Sequence, residues 1–299
     1  MRVLCLHGFG TSGAILKSQT VAFRNKLDSS YSFDFVDAPF RCGAAPGVDA
    51  LWLSSGNFTW WPQATPQAIR AAHLWLDDYL ADNGPYDAIL CFSQGCALVG
   101  SYLLYHARET PDAPLPFKSV IFICGGMPFD ALEDLGIRVS QRAHDINDRT
   151  SKALKAKAAE LQNLAKNPDK IVPGVGLWDN TLDLCHDPRK MPNPTDVFGL
   201  DFTTFPQDLR ITIPTVHIYG GKDPKWPSSM QLAYFCNNRK MYDHQGGHDV
   251  PRSTEVSLRI AQLDLGAASS QYSNGAKLVY SSTGKGWEIC PGLNSPNLV

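Results

Sequence analysis

Three segments of the sequence carry residues that together could perform nucleophilic acyl transfer. Ser93 stands in the run 91–95, CFSQG, between an apolar run and a helical pattern. This context predicts a nucleophile elbow, a tight turn that exposes a serine at the top of a sheet. Gly95 meets the need for a small residue two positions after the serine, whereas Cys91 stands where glycine is usual. The alternative is an ordinary strand-to-helix turn with a capping serine.

A serine hydroxyl needs a base, and that base needs a group that orients it. Asp223 follows an apolar run in the loop 220–224, GGKDP, and His248 follows the next strand pattern in the run 246–251, GGHDVP. Serine, acid, histidine is the chain order of α/β-hydrolase triads. We therefore predict a triad of Ser93, Asp223 and His248. Taken singly, Asp223 could be a turn residue and His248 a histidine of a surface loop.

An oxyanion hole requires two backbone N–H donors aimed at the carbonyl oxygen. The predicted donors are Gln94, directly after the nucleophile, and Phe9, in the loop 7–10 (HGFG) that ends the first apolar run. A phosphate or dinucleotide loop is the rival interpretation, since residues 8–13 match the spacing G-x-G-x-x-G with Asp37 downstream. That spacing alone is a weak pattern. Acyl transfer requires no cofactor or metal, because water can deacylate the enzyme.

These residues need a sheet whose strand ends meet at one edge, and the chain predicts one. Apolar runs alternate with helical patterns through the first 125 residues and again after residue 215. The predicted strands are 2–6, 31–36, 88–92, 119–124, 215–219 and 240–244. The predicted helices are 14–27, 67–81, 96–107, 149–165, 228–235 and 254–265. This alternation predicts an α/β fold with a mostly parallel central sheet flanked by helices. The chain order of the three predicted triad residues is that of the α/β-hydrolase fold.

The alternation stops between residues 127 and 210, which we interpret as an inserted lid within a single domain of residues 1–265. The one clear helix there, 149–165, has an apolar face that should pack downward, formed by Leu154, Ala158, Leu161 and Leu164. Its other face should meet solvent and carries Lys152, Lys155, Lys157 and Glu160. Residues 266–299 are rich in Ser, Gly and Asn, and predict a flexible C-terminal extension or a small hairpin of 278–280 with 287–289.

Composition excludes several classes of protein. The 299 residues are 43% apolar, with 27 Lys+Arg against 29 Asp+Glu and a formal net charge of -2. Disordered chains have fewer apolar residues and more net charge, and no basic run predicts a nucleic-acid surface. No apolar run approaches the roughly 18–20 residues of a membrane span. The 8 cysteines form no CxxC pair, and no His/Cys group has metal-ligand spacing. Free thiols and the lack of a signal-peptide pattern predict a cytoplasmic protein.

Taken together, five segments resemble the FSH family of serine hydrolases, a group of α/β-hydrolases common in fungi and related to the human ovarian-cancer-associated hydrolase. The segments are 4–9 (LCLHGF), 36–39 (VDAP), Trp60-Trp61, 92–95 (FSQG) and 246–251 (GGHDVP). The resemblance covers roughly residues 1–265 and departs from the pattern at Cys91. It implies the triad Ser93, Asp223, His248 and esterase or thioesterase chemistry.

The resemblance also bears on substrate and partners, because several fungal members release or trim acyl chains in polyketide biosynthesis. It implies a small-molecule acyl ester or thioester as substrate, and an acyl carrier domain of a polyketide synthase as a candidate partner. Trp60 and Trp61 lie in an aromatic-rich loop and could line the acyl site. Equally, they could form a hydrophobic plug under that loop. Two functional alternatives stay open: an acyl-transfer cyclase using the same triad, and a non-catalytic hydrolase-like binding protein.

Overall fold

The inner strands of the sheet form where the sequence has short apolar runs, as expected of strands covered on both faces. The computed structural model describes residues 1–52, 56–262, 277–280 and 287–290. The described strands are β1 Arg2–Leu6, β2 Ser32–Val36, β3 Phe40–Arg41, β4 Phe58–Thr59, β5 Ala88–Phe92, β6 Ser119–Ile123, β7 Thr215–Tyr219, β8 Arg239–Asp243, β9 Lys277–Tyr280 and β10 Trp287–Cys290.

The central sheet has the strand order β2-β1-β5-β6-β7-β8 among the described residues. Its pairings are all parallel. Strands β5, β6 and β7 are buried along their whole length. From β1 the chain goes to β2 on one side, and it later returns to form β5 on the other side of β1. A topological switch point therefore lies between β1 and β5. Ligands of open α/β sheets bind beyond the strand ends at such a point, and the loops after β1, β5, β7 and β8 all leave from that edge.

Helices cover both faces of this sheet. Their bounds are α1 Gly13–Gln19, α2 Val21–Arg24, α3 Val48–Leu51, α4 Pro66–Asn83, α5 Gln94–Glu109, α6 Phe129–Asp134, α7 Gln141–Lys166, α8 Trp226–Tyr234 and α9 Thr254–Gln262. Helix α4 begins at Pro66 because Thr65 caps it: the Thr65 side chain accepts the Ala68 N–H, and proline is favoured in the first turn. Helix α5 is buried over most of its length, which places the residue before it, Ser93, at a rigid position.

Several predicted elements have different bounds in the structure. The predicted helix 14–27 is two helices that meet at Thr20, whose hydroxyl donates back to the Leu16 carbonyl at 2.8 Å and competes with the helical pattern. Between residues 40 and 59 the structure adds α3 and the two-residue strands β3 and β4, which pair antiparallel. Strands this short leave no periodicity to detect in a sequence.

In the segment 127–210, helix α7 begins at residue 141 rather than 149. Ser140 caps it by accepting the Ala143 N–H at 3.1 Å, and the first two turns are too polar to give an apolar stripe. The expected solvent position of Lys157 is wrong, because its side chain is only 12% exposed and its ammonium donates to the Leu177 carbonyl at 2.9 Å.

The chain divides into two compact units, residues 1–266 and 267–299. In the second unit the described strands β9 and β10 pair antiparallel, with Tyr280 opposite Trp287. Among the described residues, no helix has both the length and the apolar character needed to cross a membrane.

Candidate active site

Ser93 occupies a strained turn between β5 and α5. Its φ of 52° and ψ of -110° lie in a region that L-residues rarely adopt, at a cost of roughly 1–3 kcal/mol that the surrounding structure must offset. Two features hold the turn: the Ser93 N–H donates to the Ile123 carbonyl at 3.0 Å, and Gly95 lies so close to β1 that a Cβ would fall 2.5 Å from the Leu6 oxygen. This is the geometry of a nucleophile elbow.

The elbow forms with cysteine at position 91. The Cys91 side chain is fully buried in the core, and its Sγ lies 3.5 Å from the Ile121 carbonyl oxygen. Burial raises the pKa of this thiol well above its usual value, so Cys91 is neutral and unreactive. The substitution of the usual glycine is thus accommodated by packing.

Cys91→Gly should preserve or slightly raise the esterase rate, because glycine is the residue that the elbow normally contains. Backbone entropy should lower the free energy of unfolding by about 0.5–1 kcal/mol. Steady-state kinetics and denaturant unfolding measure the two effects. Cys5→Gly, in β1 and away from the elbow, is the control for the change in the free energy of unfolding. Complete loss of activity with the fold intact would mean that Cys91 takes part in the chemistry.

The predicted triad residues meet in space. His248 Nε2 lies 2.9 Å from Ser93 Oγ, and His248 Nδ1 lies 2.7 Å from Asp223 Oδ2. Asp223 is fully buried and the His248 side chain is 11% exposed. Since the carboxylate can only accept, Nδ1 carries a proton and Nε2 is left to accept the serine hydroxyl proton. The two contacts set the imidazole in the tautomer of a general base.

The Asp223 carboxylate is fixed by the loop that carries it. Its second oxygen, Oδ1, accepts the Lys225 N–H at 2.7 Å, so both oxygens have partners. The Lys225 ammonium is partly buried and donates to Asn147 Oδ1 of helix α7 at 2.7 Å. Burial lowers the pKa of Lys225 to about 8. Lys225 therefore joins the aspartate loop to the helix of the segment 127–210.

The His248 loop and the Asp223 loop are built as one unit. The Lys222 N–H donates to the Gly246 carbonyl at 2.9 Å, and the chains approach so closely that a Cβ on Gly220 would lie 2.2 Å from that oxygen. Glycine is required at such an approach. The spacing between Asp223 and His248 is consequently set by backbone contacts as well as by their own hydrogen bond.

Cys124 is a neighbour of the triad that the sequence analysis did not select. It directly follows β6 and has a φ of 48°, and its thiol lies 3.7 Å from the Gly247 carbonyl oxygen. Burial, together with the nearby negative charge of Asp223, raises the pKa of this thiol. The sequence pattern that could have indicated it is a strand end followed by Gly125-Gly126, next to the nucleophile strand.

His7 and Thr11 fix the orientation of the peptide that links Gly8 to Phe9. His7 Nε2 accepts the Ala38 N–H at 3.0 Å, so Nδ1 carries the proton and donates to the Gly8 carbonyl at 2.7 Å. The Thr11 hydroxyl donates to the same carbonyl at 2.7 Å. Burial lowers the pKa of His7 and keeps it neutral. A trans peptide has its C=O and N–H antiparallel, so the Phe9 N–H points away from these donors.

Gln94, the other predicted oxyanion donor, is the first residue of α5. Its backbone N–H belongs to the helical turn that has no intrahelical acceptor. The side chain points elsewhere: Oε1 accepts the Trp60 N–H at 3.2 Å and Nε2 donates to Thr59 Oγ1 at 3.0 Å. Gln94 thereby ties the start of α5 to the loop that follows β4.

The expectation that Trp60 and Trp61 line an acyl site is wrong for this structure, and the plug alternative describes them better. Trp60 is fully buried and Trp61 is 5% exposed, both within the core. The Trp60 indole N–H donates to the His7 carbonyl at 2.8 Å. Trp60 therefore supports the loop of residues 7–10 that follows β1. Phe9, by contrast, is 50% exposed.

The residues of the rival dinucleotide loop are engaged in other contacts. Helix α1 starts at Gly13, whose N–H donates to Asp37 Oδ1 at 2.8 Å, so Asp37 caps a helix of this chain.

Among the described residues, the group that could hold a metal ion is Cys124, Asp223 and His248, with ligand atoms within 4.8 Å of one another. Because the His248–Asp223 hydrogen bond already joins two of these ligands, the arrangement suits proton transfer.

A serine at an elbow, bonded to a histidine and a buried carboxylate at the edge of this parallel sheet, is the arrangement of an α/β-hydrolase with a serine nucleophile. The sequence profile of the serine hydrolase (FSH1) family matches residues 1–260. The chain therefore belongs to this family and is an ester hydrolase.

Known relatives of the chain carry esterase names. It is 30% identical to esterase alnB of Emericella nidulans over 90% of this chain and 98% of the relative. It is 28% identical to esterase FPY3 of Fusarium mangiferae over 84% of this chain and 89% of the relative. A solved carboxylesterase from Mesorhizobium loti is 12% identical, with a TM-score of 0.44, over 88% of this chain and 87% of that chain.

Proposed function

We propose that this enzyme cleaves acyl esters or thioesters through an acyl-enzyme formed on Ser93. The supporting observation is the continuous hydrogen-bonded series from Ser93 Oγ to His248 to Asp223, at 2.9 and 2.7 Å. In the first half-reaction His248 Nε2 takes the serine proton as Oγ bonds to the carbonyl carbon. The oxyanion accepts hydrogen bonds from the N–H groups of Phe9 and Gln94. Collapse expels the alcohol or thiol, which receives the proton from His248.

Water completes the cycle by the same groups. His248 takes a proton from the water as its oxygen attacks the acyl carbonyl, and the proton returns to Ser93 Oγ as the acid leaves. An internal hydroxyl of the acyl group could replace the water and would give a cyclic ester. The orientation of the Gly8–Phe9 peptide supports the Phe9 N–H as a donor to the oxyanion. Two donors hold the Gly8 carbonyl oxygen and so turn the Phe9 N–H to the opposite side of the peptide.

The segment 127–210 serves as the lid that borders the acyl site. It touches the loops on both sides of the triad, since His186 Nε2 lies 2.9 Å from the Gly221 oxygen and Trp178 contacts Asp249. Its exposed apolar side chains concentrate between residues 171 and 191: Ile171, Val172, Val175, Leu182 and Met191. An apolar lid fits a long acyl chain, such as a polyketide intermediate carried as a thioester on an acyl carrier domain.

Acyl chains longer than acetyl should be preferred. Each buried methylene contributes up to about 0.8 kcal/mol, or roughly fourfold in kcat/KM. A series of p-nitrophenyl esters and acyl thioesters from two to twelve carbons, roughly spanning an extended polyketide, measures this. The background for every ester is the rate of Ser93→Ala. A preference for acetyl that falls steadily with length would contradict an apolar acyl site.

A further inference from the structure

Two consecutive residues of the lid, Trp178 and Asp179, contact the two loops that carry His248 and Asp223. The Trp178 indole N–H donates to Asp249 Oδ2, the residue directly after His248, at 3.0 Å. Asp179 Oδ1 accepts the ammonium of Lys222, the residue directly before Asp223, at 2.8 Å. This short segment therefore contacts a sequence neighbour of His248, the general base, and a sequence neighbour of Asp223, the carboxylate that orients it.

The indole ring of Trp178 also lies directly on the backbone of the histidine loop. A Cβ built on Gly247 would fall 1.9 Å from Trp178 Cδ2 and 2.2 Å from Cε2. The ring thus occupies the space that a side chain at position 247 would fill. Gly246 and Gly247 give this loop more backbone freedom than other residues would, so a rigid surface against it restricts where His248 can lie.

The segment that carries Trp178 is itself anchored. The Leu177 carbonyl accepts the largely buried Lys157 ammonium of helix α7 at 2.9 Å. On the other side, Asp179 closes a local turn in which its Oδ2 accepts the Gly176 N–H at 2.7 Å. The contacts of Leu177 and Asp179, on either side of Trp178 in the chain, hold the indole in place. A residue that positions another group must itself be held in this way.

On these contacts we infer that Trp178 is a positioning residue for His248, a role that rests on the proposed function of the triad. The lid residue holds the histidine loop so that Nε2 stays within hydrogen-bond reach of Ser93 Oγ. Displacement of a reacting group by about 1 Å can lower a rate roughly 100-fold. Trp178 acts through the loop, on kcat, and equally for substrates of every chain length.

Trp178→Phe keeps a ring on Gly247 and removes the hydrogen bond, and should lower kcat roughly tenfold with KM unchanged. Trp178→Ala removes both contacts and should lower kcat roughly 100-fold. Asp249→Ala should match Trp178→Phe, and the double variant should lose no more than either single one, because both remove the same bond. Asp249→Asn, unlike Asp249→Ala, retains an acceptor oxygen for the indole N–H and should keep nearly the wild-type kcat. Trp75→Phe, on helix α4, is the matched control.

The inference is overturned if Trp178→Phe and Asp249→Ala both keep the wild-type kcat. It is also overturned if they raise KM and change the chain-length preference, since that pattern would make Trp178 a substrate contact. Labelling of Ser93 by a fluorophosphonate probe separates this failure from a failure of the proposed function. A wild-type protein that hydrolyses no ester and is not labelled would overturn the proposed function and this inference together.

Discussion

Ser93→Ala and His248→Ala should each lower kcat by roughly 10⁴–10⁶-fold, with little change in the thermal stability of the fold. Ser93 Oγ is the atom that bonds to the substrate, and His248 Nε2, 2.9 Å away, is the atom positioned to take its proton. Because the two act as a unit, the double variant should be no slower than either single variant. Initial rates on an activated ester, measured over a wide range of enzyme concentration, give these ratios.

Two matched substitutions serve as controls for this prediction. Ser32→Ala changes an exposed serine on β2, and His144→Ala changes a partly exposed histidine on α7 that contacts Glu133. Both should keep the wild-type rate. Near wild-type turnover in Ser93→Ala or His248→Ala would contradict the triad, whatever the distances between these atoms.

Asp223→Asn should lower kcat by roughly 10⁴-fold, at the lower end of the range for the alanine variants. Asp223 is fully buried and accepts two N–H donors, His248 Nδ1–H at 2.7 Å and the Lys225 amide at 2.7 Å. An asparagine has one acceptor oxygen and one NH₂ group, so it must place a donor against one of these two donors. The imidazole then turns to the wrong tautomer or the loop shifts.

The same kinetic assay tests this variant, with the Tm showing that the buried amide is tolerated. A rate within tenfold of the wild-type value, against the roughly 10⁴-fold expected, would mean that Asp223 does not orient His248. Asp249→Asn is the internal comparison, because Asp249 adjoins His248 in sequence but its carboxylate bonds to Trp178.

The parallel sheet and the spatial meeting of the triad could be anticipated from the sequence for one physical reason. Strands buried on both faces are continuous apolar runs, and the residues that follow them share one edge of the sheet. Thus the runs before Ser93 and Asp223 located two strand ends, and glycines before His248 marked the third loop. Chain order completed the prediction without any tertiary information.

Side-chain roles that depend on tertiary contacts could not be anticipated in this way. Trp60 and Trp61 were candidates for an acyl site because aromatic rings suit both pockets and cores, and only their burial beneath the β1 loop decides between the two. Trp178 and Lys225 have no motif of their own. Their contacts join segments that lie far apart in the chain, and neither apolar periodicity nor local spacing carries information about such pairs.

The central claim is that Ser93 becomes acylated, and active-site labelling followed by peptide mass mapping tests it most directly. Folded wild-type protein treated with a fluorophosphonate should gain one equivalent of label, on the peptide that contains Ser93. Ser93→Ala and protein denatured before treatment should gain none. Label on another residue, or a folded wild-type protein that hydrolyses esters while Ser93 stays unmodified, would contradict the account.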